Sequence, residues 1–204
     1  MTDRDRLLTE MAQFAARRIV EEGADYGQAR RDALDEFDAR HDRVRDQLTN
    51  ERIEDEVRTH IDLFCADTQP RELAILRRAA RRWLQRLAEF RPYLGGAVWR
   101  GTATRHSAIR IDLFADDAKA PELALINAGV EYDTQSAPGR GGGEPALAYT
   151  VTERSAELGD WITVHLQVLD ADDLRGALKP DARGHTWRGD LKALDALLAS
   201  EAST

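Results

Sequence analysis

The stretch Gly95–Asp117, GGAVWRGTATRHSAIRIDLFADD, decides how the chain folds. Ile109, Ile111 and Leu113 alternate with Arg110, Asp112 and Phe114, and a period of two specifies a strand with one buried face. The opposite face then carries Arg110 and Asp112 side by side, about 7 Å apart at the rise of a strand. The stretch opens on a short strand and a small-residue turn. Within it Gly101-Thr102 offers a backbone that a ligand can approach closely, because glycine has no Cβ.

Upstream, Pro70 suits the first turn of a helix whose apolar face is Leu73, Leu76, Ala80, Trp83 (or Leu84) and Leu87, and Pro92 ends it. Arg77, Arg78, Arg81, Arg82 and Arg86 form the densest basic run of the chain. That run is either a solvated face balanced by acids or a stripe that meets phosphate or RNA. Thr49 or Asn50 caps the helix before it, whose buried stripe is Ile53, Val57, His60/Ile61 and Phe64. Residues 38–50 are nearly all polar, an exposed linker or a helix with charge pairs, and His41 there reads as a surface histidine. Residues 4–22 form an amphipathic helix through Leu7, Leu8, Met11, Ala15 and Ile19, stopped by Gly23. Asp25 then caps a helix through Tyr26, Ala29, Ala33 and Phe37. The acids Glu21, Glu22 and Asp25 read as a solvated helix end.

Downstream, Pro121–Gly129 is a short helix with Gly129 as its stop, and a strand starts at Val130. Residues 136–144, SAPGRGGGE, read as a hairpin connection, because they lack the strand-before, helix-after setting of a phosphate loop. Ala146–Thr152 is a strand. Trp161–Leu169 is the clearest one, with Ile162, Val164, Leu166 and Val168 alternating with Thr163, His165 and Gln167. Asp170–Gly189 is a loop that concentrates Lys179, Arg183, His185 and Arg188, groups that suit phosphate. Asp190 caps a last helix, Leu191–Leu198. The reading is an α+β protein: a helical region over 1–92, then a mixed sheet with flanking helices over 93–204.

The chain has 204 residues, enough to bury a core without disulfides. Its single cysteine, Cys65, excludes an internal disulfide framework and a cysteine-based zinc site, and its helical spacing reads as a buried core thiol. No apolar run approaches the roughly eighteen residues of a membrane span, and the first residues are charged. A soluble, cytoplasmic protein with no membrane partner is expected. A net charge of −8 with 32% charged residues argues against broad nucleic-acid binding, while a local basic face keeps RNA open as a partner.

The central stretch resembles the signature of the nucleotidyltransferase fold, the polymerase-beta-like superfamily: a hydrophobic residue, Gly, Gly or Ser, nine to thirteen residues, then Asp-hydrophobic-Asp/Glu. From Gly101-Thr102, nine residues lead to Asp112-Leu113-Phe114, which keeps the first acid and has Phe for the second. From Leu94-Gly95-Gly96, eleven lead to Ala108-Ile109-Arg110, which has neither. The wider chain, through IVEEGADYGQARRDAL, FRPYLGGAVWRGTATRHSAIRIDLFADD and DDLRGALKPDARG, is similar to a family of proteobacterial proteins labelled nucleotidyltransferase or UDP-N-acetylmuramate–alanine ligase.

The resemblance implies a nucleotidyltransferase-like domain. Paired carboxylates in that superfamily hold two Mg²⁺ ions; here Asp112 is the one catalytic and metal-ligating candidate, and Mg²⁺ the one cofactor implied. The later strand, which supplies a third carboxylate in that fold, offers Thr163, His165 and Gln167. The implied function is an eroded metal site that binds a nucleotide or phosphorylated small molecule with little or no catalysis. Its ligand-binding residues are Gly101, Thr102, Arg105, Ser107 and Arg110, with His165 opposite and Lys179 and Arg183 from the later loop. One alternative is an active Mg²⁺-dependent enzyme, with Asp116, Asp117 or Asp170 as a further acid. Another is a protein-interaction module that docks a partner through an apolar patch along residues 4–37. The ligase comes last, since no Gly-Lys-Ser/Thr phosphate loop occurs.

Overall fold

Capped helices open the chain. Thr2 and Asp5 form a reciprocal capping box for α1 (Asp3–Glu22). Gly23 closes that helix in the left-handed region at φ 72°, its amide bonded to the Arg18 carbonyl. Asp25 caps α2 (Tyr26–Glu36) by accepting from the Gln28 amide at 2.9 Å, and Thr49 caps α3 (Asn50–Phe64). The apolar face of α1 is rich in alanine, with Ala12, Ala15 and Ala16 buried beside Met11 and Ile19, so α2 and α3 can approach it closely.

The computed structural model describes residues 2–39, 44–137, 146–174, 178–181 and 183–201. The chain is α+β: N-terminal helices followed by a mixed sheet flanked by helices. It divides into two compact units, 1–73 with 102–107, and 74–101 with 108–204.

In the first unit the linker expected over 38–50 is not simply exposed. Val44 and Leu48 are buried, and the Arg30 guanidinium donates to the Leu48 and Arg45 carbonyls, both at 2.7 Å. His41 lies outside the described residues. Two other expectations are corrected. Phe64, read as part of the buried stripe of α3, is exposed. Cys65 is the residue that ends α3 and is partly exposed rather than a core thiol. Burial of its thiol and the carboxylates Glu72 and Glu21 raise its pKa.

The second unit takes α4 (Gln69–Arg86) from Ala74 onward, then β1 (Pro92–Gly95), α5 (Gly96–Arg100), β2 (Ile109–Ala115), α6 (Ala120–Asn127), β3 (Asp133–Ala137), β4 (Ala146–Ser155), β5 (Asp160–Asp170), β6 (Arg188–Gly189) and α7 (Leu191–Glu201). The strand order is β3-β4-β5-β2-β1-β6. Only β2 and β5 run parallel, with Ile109 opposite Val164; the other pairs are antiparallel. The small-residue turn expected after Gly95 is the helix α5, and the strand expected from Val130 begins at Asp133. Most of the 136–144 segment lies outside the described residues, but the strands that bracket it pair antiparallel, as a hairpin requires.

One face of the sheet is the core, built from Leu94, Ile109, Ile111, Leu113, Tyr149, Val151, Ile162, Val164, Leu166 and Val168. Helix α4 lies over this face at the β4 end: Trp83 Nε1 donates to Glu153, two residues beyond Val151 on the same side of the strand. The arginine run of α4 is spent within the unit. Buried Arg77 donates to the Val98 and Trp99 carbonyls at 3.1 and 3.2 Å and pairs with Glu201. Arg78 pairs with Glu157, Arg81 with Asp195 and Arg82 with Glu153, while Arg86 lies over the Trp83 ring. Among the described residues no helix is long and apolar enough to cross a membrane.

Candidate functional site

The second face of the sheet carries most of the polar side chains of the strands. Register sets Arg188 of β6 opposite Gly95 of β1, Gly95 opposite Arg110 of β2, Arg110 opposite His165 of β5, and His165 opposite Thr150 of β4. These five residues form one row across the sheet. Neighbouring strands lie about 4.8 Å apart, so the two guanidiniums leave the sheet on either side of a glycine that contributes no side chain. The next row runs Tyr93, Asp112, Gln167, Ala148.

Local sequence explains how each group is held. Gly96 adopts φ 66°, a conformation that glycine takes without strain. A Cβ there would come within 3.2 Å of the Arg110 Cδ, so the bare backbone of Gly96 makes room for the arginine stem. The Arg110 residue is exposed. The His165 Nδ1 and the Thr150 hydroxyl share a hydrogen bond of 3.0 Å, which fixes the ring orientation whichever of them donates.

Asp112 forms an ion pair with Arg188. The two side chains are only 19% and 16% exposed, so the pair is well desolvated. Arg188 was expected only as one of the basic residues of the 170–189 loop, not as the partner of Asp112. Its strand is two residues long, too short to show a period, and only the Trp-Arg-Gly-Asp run before the last helix hints at it. The two positions from which an acid would help Asp112 hold a cation are occupied by Phe114, two residues along the strand, and Gln167, across from it. Phe114 lies on the same face as Asp112 but is not exposed there. It is fully buried in a small apolar cluster with Leu169, against which Tyr93, Ala146 and Leu174 pack, and the Tyr93 ring meets it edge-on at 5.7 Å. This face of the sheet thus has a polar end and an apolar end.

The further acids considered have other work. Asp116 pairs with Arg91 at 3.3 Å, Asp117 accepts from the Lys119 amide, and Asp170 caps the turn over 171–173. Among the described residues no group of three or more His, Cys, Asp or Glu could hold a metal ion.

Of the expected site residues, Arg110, Asp112 and His165 share this face. Thr102, Arg105 and Ser107 belong to the first unit. The Thr102 hydroxyl is buried and bonded to the Tyr26 hydroxyl at 2.9 Å. Ser107 is buried and its Oγ accepts from the Thr104 amide, while the Arg105 amide donates to Glu72. Thr104 and Ala103 add bonds to the Val20 carbonyl and the Gln69 amide. Gly101 ends α5 at φ 79°, with the Arg77 guanidinium 3.4 Å from where a Cβ would sit, so Arg77 occupies the approach expected for a ligand.

Lys179 and Arg183 are exposed on a loop organised by Asp181. Asp181 accepts from the Arg183 and His185 amides, both at 2.9 Å, and pairs with buried Arg100 at 3.0 Å. Arg100 lies over the Trp187 ring at 4.2 Å. Burial opposes ionisation of Asp181, but the amides of His185 and Arg183 and the Arg100 guanidinium outweigh it and hold the carboxyl below its ordinary value. No protein-family model matches the chain, and no curated protein or solved structure matches it either.

Proposed function

We propose that the second unit is a nucleotidyltransferase-like domain with an eroded metal site, and that it binds a nucleotide or another phosphorylated small molecule with little or no catalysis. The observation that carries this reading is the row Arg188–Gly95–Arg110–His165 across the second face of the sheet. Two guanidiniums either side of a bare glycine, with an imidazole beside them, suit the oxygens of a phosphate through charge-assisted hydrogen bonds. Asp112 supports the row by holding Arg188.

The donor set around Asp112 does not fit a two-metal clamp. Mg²⁺ binds through carboxylates and water, and here the single carboxylate is met by a guanidinium, with Phe114 and Gln167 at the neighbouring positions. The chain's own residues are therefore assigned to binding and orienting an anion.

A thermal-shift screen with the four ribonucleoside triphosphates, with and without Mg²⁺, tests this. A ligand that binds only the native state raises its melting point. The expected result is a shift that persists in chelator and is lost in Arg110→Ala. A shift that requires Mg²⁺ and disappears in Asp112→Asn would instead indicate an active enzyme.

A further inference from the structure

The first unit carries an apolar groove that the proposed function does not use. Its floor and walls are Phe14 of α1, Phe37 after α2, and His60, Leu63 and Phe64 of α3, around a cavity of about 640 Å³. Phe14 and Phe37 meet edge-on at 6.1 Å, and the His60 ring lies 4.7 Å from that of Phe64. Leu63 and Phe64 stand out of the groove at 69% and 72% exposure. Two adjacent large apolar side chains left this exposed at the end of an amphipathic helix mark a surface that something covers.

The rim has one dominant sign. Glu10, Glu21 and Glu56 border the groove against Arg17 alone. Glu21 pairs with the His60 imidazole at 3.2 Å and Glu10 with Arg6, while Glu56 has no ion-pair partner among the described residues. The rim disfavours a second copy of the same face, since like charges would be brought together. Leu63 and Phe64 line the groove yet are mostly exposed, so whatever covers them has to extend beyond the cavity. An amphipathic helix laid along the groove covers both, and basic residues at the borders of its apolar face meet the carboxylates.

We propose that this groove docks an amphipathic helix of a partner protein, apolar on one face and bordered by lysine or arginine. The contact is helix-in-groove, with Phe64 and Leu63 as its anchors and Glu56 as its charge selector. It is independent of any ligand on the sheet.

The test is fluorescence anisotropy of a labelled leucine–lysine amphipathic peptide of about four helical turns, titrated with the full chain without nucleotide. Saturable binding is expected. Affinity should fall about tenfold or more in Leu63→Ser/Phe64→Ser, and less, with a weaker salt dependence, in Glu56→Gln. Both side chains of the double variant are already exposed, so it should keep the native circular dichroism spectrum. The proposal is overturned by an absence of saturable binding, by equal binding of a control peptide with glutamate in place of lysine, or by unchanged affinity in the double variant. Self-association of the wild type in ultracentrifugation that Phe64→Ser abolishes would also overturn it, by making a second copy the occupant.

Discussion

Asp112 and Arg188 hold each other in a pair that solvent barely reaches. Removing either takes an ion-pair partner from a desolvated charge. Asp112→Asn and Arg188→Met should therefore each lower stability by about 1.5–3 kcal/mol. The double variant should lose less than the sum of the two, because the second change removes the charge stranded by the first. Urea midpoints of the four proteins check this, and strict additivity would mean that the pair is not coupled. Asp112 was legible in the sequence because its signal is local: Ile109, Ile111 and Leu113 put it on the open face of β2. Arg188 was not, because its partner lies on a strand far away in sequence. The bond of Thr102 to Tyr26 was hidden for the same reason, while Ser107 bonds to Thr104 within its own loop.

At the scale of the element, α4 shows that a charge run has to be read one residue at a time. Arg77 is buried and donates to two carbonyls, while Arg78 is half exposed and pairs with an exposed glutamate. Arg77→Met should destabilise the protein by about 3 kcal/mol, since the Val98 and Trp99 carbonyls lose their donor. Arg78→Ala should change stability by less than about 1 kcal/mol. Chemical denaturation of the two variants checks the contrast, and equal effects would contradict the placement of Arg77. The long helices and the strands β2, β4 and β5 were legible because each buries one face, which imposes a period on the sequence. Helix α5 and strand β6 are too short for any period. Phe64 kept the spacing of the α3 stripe, yet it lies at the helix end, where spacing alone does not decide burial.

At the scale of the whole molecule, the chain leaves the second unit after Gly101 and re-enters it at Ala108. In between, 102–107 belongs to the helical unit through bonds to Tyr26, Val20, Gln69 and Glu72. In native-state hydrogen exchange the Thr104, Arg105 and Ser107 amides should open with α1 and α3, and not with β2, which follows them directly. Exchange of these amides together with the β2 strand would contradict the division. No local pattern in TATRHS announces this excursion, since its partners are set by the tertiary fold.

The central claim is that the row of Arg188, Arg110 and His165 receives a phosphorylated ligand without help from a metal. Isothermal titration of the full chain with ATP and with GTP, in chelator and again in Mg²⁺, is its most direct test. Similar affinities are predicted under the two conditions, with Arg110→Ala weakening binding about tenfold or more, as expected for the loss of one charge-assisted contact to phosphate. Heat only in the presence of Mg²⁺, or unchanged binding in Arg110→Ala, would contradict it.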